Sequence, residues 1–104
     1  MAVIFFIKNL RIQVFYHLMR HFTHENRGTC SRQVIFDLDD ENRIHNLQFV
    51  NGCPGNTIGL SQLVEGMDAA EVIKRLEGIR CGMKPTSCPD QLAKAVREAL
   101  QTNP

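Results

Sequence analysis

Val34, Phe36 and Leu38 place an apolar residue at every second position, and the polar run Asp39-Asp40-Glu41-Asn42 separates them from a second β-rich stretch, residues 43–50. A period of two sends alternate side chains to one face, so residues 32–38 are predicted to form a half-buried strand that turns into a partner: a β-hairpin. In the second strand Ile44, Leu47, Phe49 and Val50 do not share one parity. Its register and buried face therefore stay open.

After the hairpin the periodicity changes. Asn51-Gly52-Cys53-Pro54-Gly55-Asn56 is rich in turn formers and leads into a helix whose apolar face is Leu60, Leu63, Val64 and Met67, with Gly66 at its end. Asp68-Ala69-Ala70-Glu71 reads as a capping box opening a second helix, with Ala69, Val72, Ile73 and Leu76 inward and Gly78 as its stop. A third helix follows Ser87-Cys88-Pro89-Asp90. Pro89 suits its first turn, Asp90 favours the positive end of its dipole, and Leu92, Ala93, Val96, Ala99 and Leu100 form its core face. The expected fold is α+β: a small antiparallel sheet, a hairpin with room for a third N-terminal strand, followed by three helices packed on one face. With 104 residues the chain holds one such core and no large barrel.

Residues 1–18 are mostly apolar, and no acidic residue precedes Glu25. Lys8 and Arg11 interrupt the run before the roughly 20 apolar residues that a membrane span takes. Neither a basic lead nor an Ala-x-Ala-like cleavage site marks a secretory signal. Two readings stay open: an upstream extension from a misassigned start, with the domain proper at residues 19–104, or an extra strand. The protein is read as cytoplasmic, with reduced thiols and no membrane partner. A formal net charge of +1 and 7% aromatic residues without Trp supply neither the basic footprint nor the stacking platform of a nucleic-acid binder.

The chemistry rests on Cys30, Cys53, Cys81 and Cys88. Their intervals of 23, 28 and 7 residues contain no Cys-x-x-Cys pair, but each falls at the end of a predicted element, where loops cluster. A thiol at a helix start is stabilised as thiolate by the dipole and the free N–H groups, which singles out Cys88 and then Cys53. If the four converge, tetrahedral thiolate coordination suits Zn²⁺ or an iron–sulfur cluster. Buried, inert cysteines are the alternative. Other patterns carry less. Asp37, Asp39 and Glu41 have the rhythm of a calcium loop, but Asn42 stands in place of its glycine and Gln48 in place of its glutamate. Gly52, Gly55 and Gly59 form no nucleotide fingerprint and read as turn geometry. His17, His21, His24 and His45 read as surface residues.

The strings Gly28-Thr29-Cys30-Ser31, Asn51-Gly52-Cys53-Pro54-Gly55-Asn56, Leu63-Val64-Glu65-Gly66-Met67 and the stretch from Cys81 to Ala93 containing Thr86-Ser87-Cys88-Pro89-Asp90 together resemble the TSCPD-domain family. The resemblance covers residues 19–100. Small stand-alone members begin near Met19, and the same domain lies near the C-terminus of adenosylcobalamin-dependent ribonucleotide reductases. It implies an accessory module linked to deoxyribonucleotide synthesis, with a reductase as partner. It does not bring the reductase active site, which needs a large barrel this chain cannot build. More distantly, Cys30, Cys53 and Cys88 are similar to the three cysteines of IscU-type iron–sulfur scaffold proteins. Arg32 stands where that pattern has Asp and Ser87 where it has His, with Cys81 as a fourth ligand. A bound metal held by Cys30, Cys53, Cys81 and Cys88 is the first expectation, and thiol exchange with a reductase the alternative.

Overall fold

The computed structural model describes residues 19–102, which form an α+β domain. Three antiparallel strands, β1 (Arg20–Glu25), β2 (Ser31–Leu38) and β3 (Ile44–Asn51), lie in the order β1-β2-β3. Three helices follow: α1 (Pro54–Val64), α2 (Ala69–Leu76) and α3 (Cys88–Thr102). Both readings of residues 1–18 lie outside the described residues. No helix among the described residues is long and apolar enough to cross a membrane.

The alternation of β2 is as expected. Val34, Phe36 and Leu38 are fully buried beneath the helices, against Val72 of α2 and Leu92 and Val96 of α3. Burying each large side chain contributes roughly 1.5–3 kcal/mol. The mixed parity of β3 has a definite cause. Ile35 pairs with Gln48 and Asp37 with His45, so Phe36 alone stands opposite two residues, Asn46 and Leu47. Asn46 absorbs this bulge with a left-handed φ of 57°, and Ile44 and Leu47, three positions apart, reach the same core. A second irregularity leaves Arg32 as an extra residue between the pairs Ser31–Asn51 and Gln33–Val50. It turns Ser31 inward, where it is buried, while Arg32 stays exposed.

The third strand is β1. Its inward residues are Arg20, Phe22 and His24. Phe22 stacks on its cross-strand partner Phe36 with ring centroids 5.5 Å apart. His24 bonds Glu98 (2.6 Å) and Gln91 (3.3 Å) of α3. Arg20 donates to the Asp39 carbonyl (2.7 Å) and to Asn42 (2.6 Å), fastening the hairpin turn.

Two helical expectations need correction. Leu63 is 72% exposed and Met67 lies beyond α1, which ends at Val64. α1 instead meets β3 through Thr57 and Val64, with Leu60 partly buried, and the Thr57 hydroxyl is satisfied by the Cys53 carbonyl at 3.0 Å. Asp68 does precede α2, but its side chain makes no cap bond and Glu71 pairs with Arg75. Extended pairing replaces the box there: Asp68 bridges Arg43, and the Ala69 N–H donates to the Asn42 carbonyl (2.9 Å).

Nor is His45 a surface residue. Its Nε2 lies 2.8 Å from buried Asp39 and its Nδ1 2.7 Å from Glu65, so both ring nitrogens face carboxylates and the imidazolium satisfies both. Burial pushes its pKa down, but hydrogen bonds from Asp39 and Glu65 and their charges outweigh it and hold His45 above its ordinary value. This triad ties the β2–β3 turn to the end of α1. A raised histidine pKa gives stability that is complete below about pH 6.5 and lost as pH rises through the folded-state value. Thermal melts from pH 5.5 to 8.5 should therefore show a fall in Tm across the neutral range that is absent in His45→Gln. Parallel profiles for the two proteins would refute this linkage.

Candidate functional site

Residues 86–90 build the start of α3. Ser87 precedes the first helical residue, accepts the Asp90 N–H through its hydroxyl oxygen (3.2 Å) and donates that hydroxyl to the Ile79 carbonyl (2.7 Å). Pro89 occupies the first turn, where its missing N–H costs nothing. Asp90 is 3% exposed, and one carboxylate oxygen accepts the Gly78 N–H (2.7 Å) while the other accepts the Thr86 hydroxyl. Burial raises the Asp90 pKa. The bonds from Thr86 and Gly78 and the charge of Lys94 outweigh that and keep the carboxyl below its usual range. Thr86 also accepts from Gln91 (3.0 Å), and its carbonyl accepts the Cys81 N–H (3.1 Å). Thr86, Ser87, Pro89 and Asp90 thus form a frame. Cys88 is the member of the string whose reactive group reaches a cavity.

That cavity has a volume of about 470 Å³, and Cys30, Cys53, Cys81 and Cys88 all line it. They come from four segments: the β1–β2 loop, the residue before α1, the α2–α3 loop and the start of α3. All four are free thiols. The rest of the wall is largely apolar and includes Leu60 and Leu63 of α1 and Pro89 of α3. Two glycines permit the approach of the loops. Gly28 (φ +78°) lies against Thr86, and a Cβ there would stand 3.1 Å from the threonine methyl. Gly52 (φ +99°) lies against Ser31, where a Cβ would stand 3.1 Å from the serine Cβ. Turn geometry is therefore the role of Gly52, as expected from sequence.

Within the cavity Cys88 is the most elaborated thiol. Its Sγ lies 2.9 Å from the Ser31 hydroxyl and 3.9 Å from Cys30 Sγ. Burial raises its pKa, but hydrogen bonds from the Ser31 hydroxyl and N–H, from Cys30 and from Thr29 outweigh it and lower the thiol below its ordinary value. Ser31 is itself fixed by Asn26 Nδ2 (2.8 Å). Thr29 and Ser31 lie in a string that the sequence singled out, but their place beside the Cys88 thiol was not expected from it. Their signal lies in a bulge that no periodicity carries.

Cys53 and Cys81 open onto the same space without joining the Cys30–Cys88 contact. Among the described residues no three His, Cys, Asp or Glu side chains stand close enough to hold one ion. None of the described histidines lines the cavity: His21 pairs with Asp37, and His24 and His45 are engaged as described above. Asp37 and Asp39, the first two carboxylates of the calcium-loop rhythm, serve these histidines instead.

Two outcomes follow. Asp90→Ala leaves the Gly78 N–H and the Thr86 hydroxyl without their partner, and should cost about 2–4 kcal/mol in urea unfolding; a loss below about 0.5 kcal/mol would contradict the frame. Alkylation by iodoacetamide, followed against pH by peptide mass spectrometry, should show Cys88 reacting with a midpoint below that of an ordinary thiol. Ser31→Ala should move that midpoint upward.

A comparison with protein-family models matches residues 16–100 to the TSCPD domain. No curated protein and no solved structure matches the chain. The match takes in all but the last two residues of the strands and helices described above and all four cysteines, and the five residues that frame and carry the central thiol are the string for which that domain is named. The chain belongs to the TSCPD domain family.

Proposed function

We propose that this chain is a cysteine-based metal-binding module in which Cys30, Cys53, Cys81 and Cys88 take a thiophilic metal, zinc or the iron of an iron–sulfur cluster, and which serves a larger protein rather than catalysing alone. One observation carries the reading: four thiols from four separate segments open into a single cavity. Packing alone gives no reason for such convergence, since Cys30, Cys53 and Cys81 are exposed and fill no core.

The donor set fits a soft cation. Thiolates are the ligands that zinc and iron–sulfur centres use, and a Zn–S bond of about 2.3 Å implies a sulfur–sulfur edge of about 3.8 Å in a tetrahedron. The Cys30–Cys88 separation is 3.9 Å, so two ligands stand at coordination distance of one another. Cys53 and Cys81, exposed on the same cavity, would supply the other two ligands. Bound metal would cross-link the loops, the sheet edge and α3, so its binding energy would add to the folding energy. In that state Ser31 and Thr29 hold the Cys88 sulfur in place by hydrogen bonds.

The family's position at the C-terminus of adenosylcobalamin-dependent ribonucleotide reductases makes a reductase the class of partner that this module serves. The 104 residues bring no barrel for radical chemistry, and the part assigned to them is accessory.

Elemental analysis and a visible spectrum of the full chain, purified without oxygen and without added metal, test the reading. About one zinc per chain, or iron with sulfide and a thiolate-to-iron absorption band, is expected. Chelation should lower Tm by more than about 10 °C, and Cys53→Ser and Cys81→Ser should each reduce the metal retained. A folded, metal-free chain that gives no thiolate–metal absorption and no change in Tm when titrated with Zn²⁺ or Cd²⁺ under reducing conditions would refute it.

A further inference from the structure

Among the described residues the four thiols are unequal in one respect: Cys30 and Cys88 are in sulfur contact at 3.9 Å, whereas Cys53 and Cys81 share the cavity without such a neighbour. The contact joins residues 58 apart in sequence. It is held from both sides. The β1–β2 loop is fixed by the Asn26–Ser31 bond and by the close approach of Gly28 to Thr86, and the start of α3 is fixed by the Ser87 and Asp90 bonds. A disulfide needs its sulfurs about 2.05 Å apart, so closure asks for roughly 2 Å of travel, within reach of a χ1 rotation at an exposed side chain. Cys30 is such a side chain.

We propose that Cys30 and Cys88 are a dithiol–disulfide couple, oxidised by peroxide, whose closure withdraws two ligands and releases the metal from the cavity. The couple rests only on the contact of the two sulfurs. Its consequence for the metal rests on the metal-binding reading above.

The step balances as follows. The Cys88 sulfur attacks one peroxide oxygen, the O–O bond breaks, and hydroxide leaves and takes a proton as the first water. The product is a sulfenic acid on Cys88. The Cys30 sulfur then attacks the Cys88 sulfur, an S–S bond forms, the S–O bond breaks, and hydroxide leaves as the second water, taking the Cys30 proton in the metal-free chain and a solvent proton where Cys30 is a metal-bound thiolate. Two thiols lose two electrons and one peroxide gains them. The chain supplies geometry for both halves. The Ser31 hydroxyl, 2.9 Å from the Cys88 sulfur, orients it, and Cys30 is the nearest sulfur able to resolve the sulfenic acid. A thiol or dithiol reductant reverses the couple.

The full chain, metal-free and separately loaded with zinc, is treated with one equivalent of hydrogen peroxide and mapped under non-reducing conditions. Cleavage after fully exposed Met83 by cyanogen bromide, then trypsin, places Cys81 and Cys88 on different peptides. The expected result is one dominant cross-link, Cys30 to Cys88, with loss of two hydrogens and reversal by dithiothreitol. It persists in Cys53→Ser and Cys81→Ser and vanishes in Cys30→Ser, where dimedone traps the sulfenic acid on Cys88. In urea the preference should move from Cys30–Cys88 to the short Cys81–Cys88 loop, whose closure costs least entropy. In the loaded protein a chromogenic chelator should report zinc release in step with the cross-link.

Cross-links that favour Cys53 or Cys81 in the folded chain, or only disulfides between chains, would overturn the couple. A Cys30–Cys88 cross-link that forms while zinc stays bound would overturn its link to the metal. Failure of the metal-binding reading would look different: the chain would take up no zinc at all, and the cross-link would still form in the metal-free protein.

Discussion

The buried carboxylate of Asp90 holds three segments together. An ion removed from water costs several kcal/mol unless its lone pairs are answered, and here the answers come from different places: the Gly78 N–H after α2, the Thr86 hydroxyl in the α2–α3 loop, and Lys94 one turn along α3. The position of the carboxylate in the first turn adds the helix dipole. Because one group answers to all of them, the α2–α3 loop that carries Cys81 and the helix start that carries Cys88 have one arrangement relative to each other. Thr86 extends the tie to the sheet. Its oxygen accepts from Gln91, whose own carbonyl oxygen accepts the Arg27 N–H, and its methyl meets the backbone at Gly28. A charge at residue 90 thereby places Cys30 beside Cys88.

What could be read from sequence follows from what periodicity encodes. The faces of β2, α2 and α3 were legible because each is a simple repeat against one partner: Val34, Phe36 and Leu38, then Val72, Leu92 and Val96, are all in the core. Parity failed for β3 because a bulge inserts a residue without any change of composition. Its only trace is Asn46, a residue type that tolerates a positive φ. A third N-terminal strand was expected, but its place at Arg20–Glu25 was not legible, for another reason. Only Phe22 of its inward residues is apolar, and Arg20 and His24 are held by hydrogen bonds to residues far away in sequence. Leu63 misled because helical spacing gives a face and not its partner. α1 is apolar on several sides, and β3 lies against Thr57 and Val64.

The site was legible in a similarly partial way. That Cys30, Cys53, Cys81 and Cys88 border secondary structure elements is a local property and was visible. That four such borders meet is a property of topology: an antiparallel sheet brings the β1–β2 loop and the end of β3 to the same end, and α3 returns its first turn to them. The donors to Cys88 were not visible, because Ser31 points inward only through the extra residue Arg32.

The electrostatics of the cavity bear on what it can hold. Among the described residues its lining contains four thiols and no lysine, arginine or histidine. A single thiolate at Cys88 is supported by Ser31, Thr29 and the helix start. On the metal-binding reading, several thiolates gathered in a largely apolar space would repel one another. A divalent ion changes the balance, since it supplies the missing positive charge and ionises each thiol that it touches, so uptake would release protons and strengthen as pH rises. Removing two electrons as a disulfide resolves the same repulsion by a second route, because the bonded sulfurs carry no charge. On the two proposals together, metal and disulfide would be competing ways of neutralising one cluster of sulfur, and the contact between Cys30 and Cys88 would be where they compete.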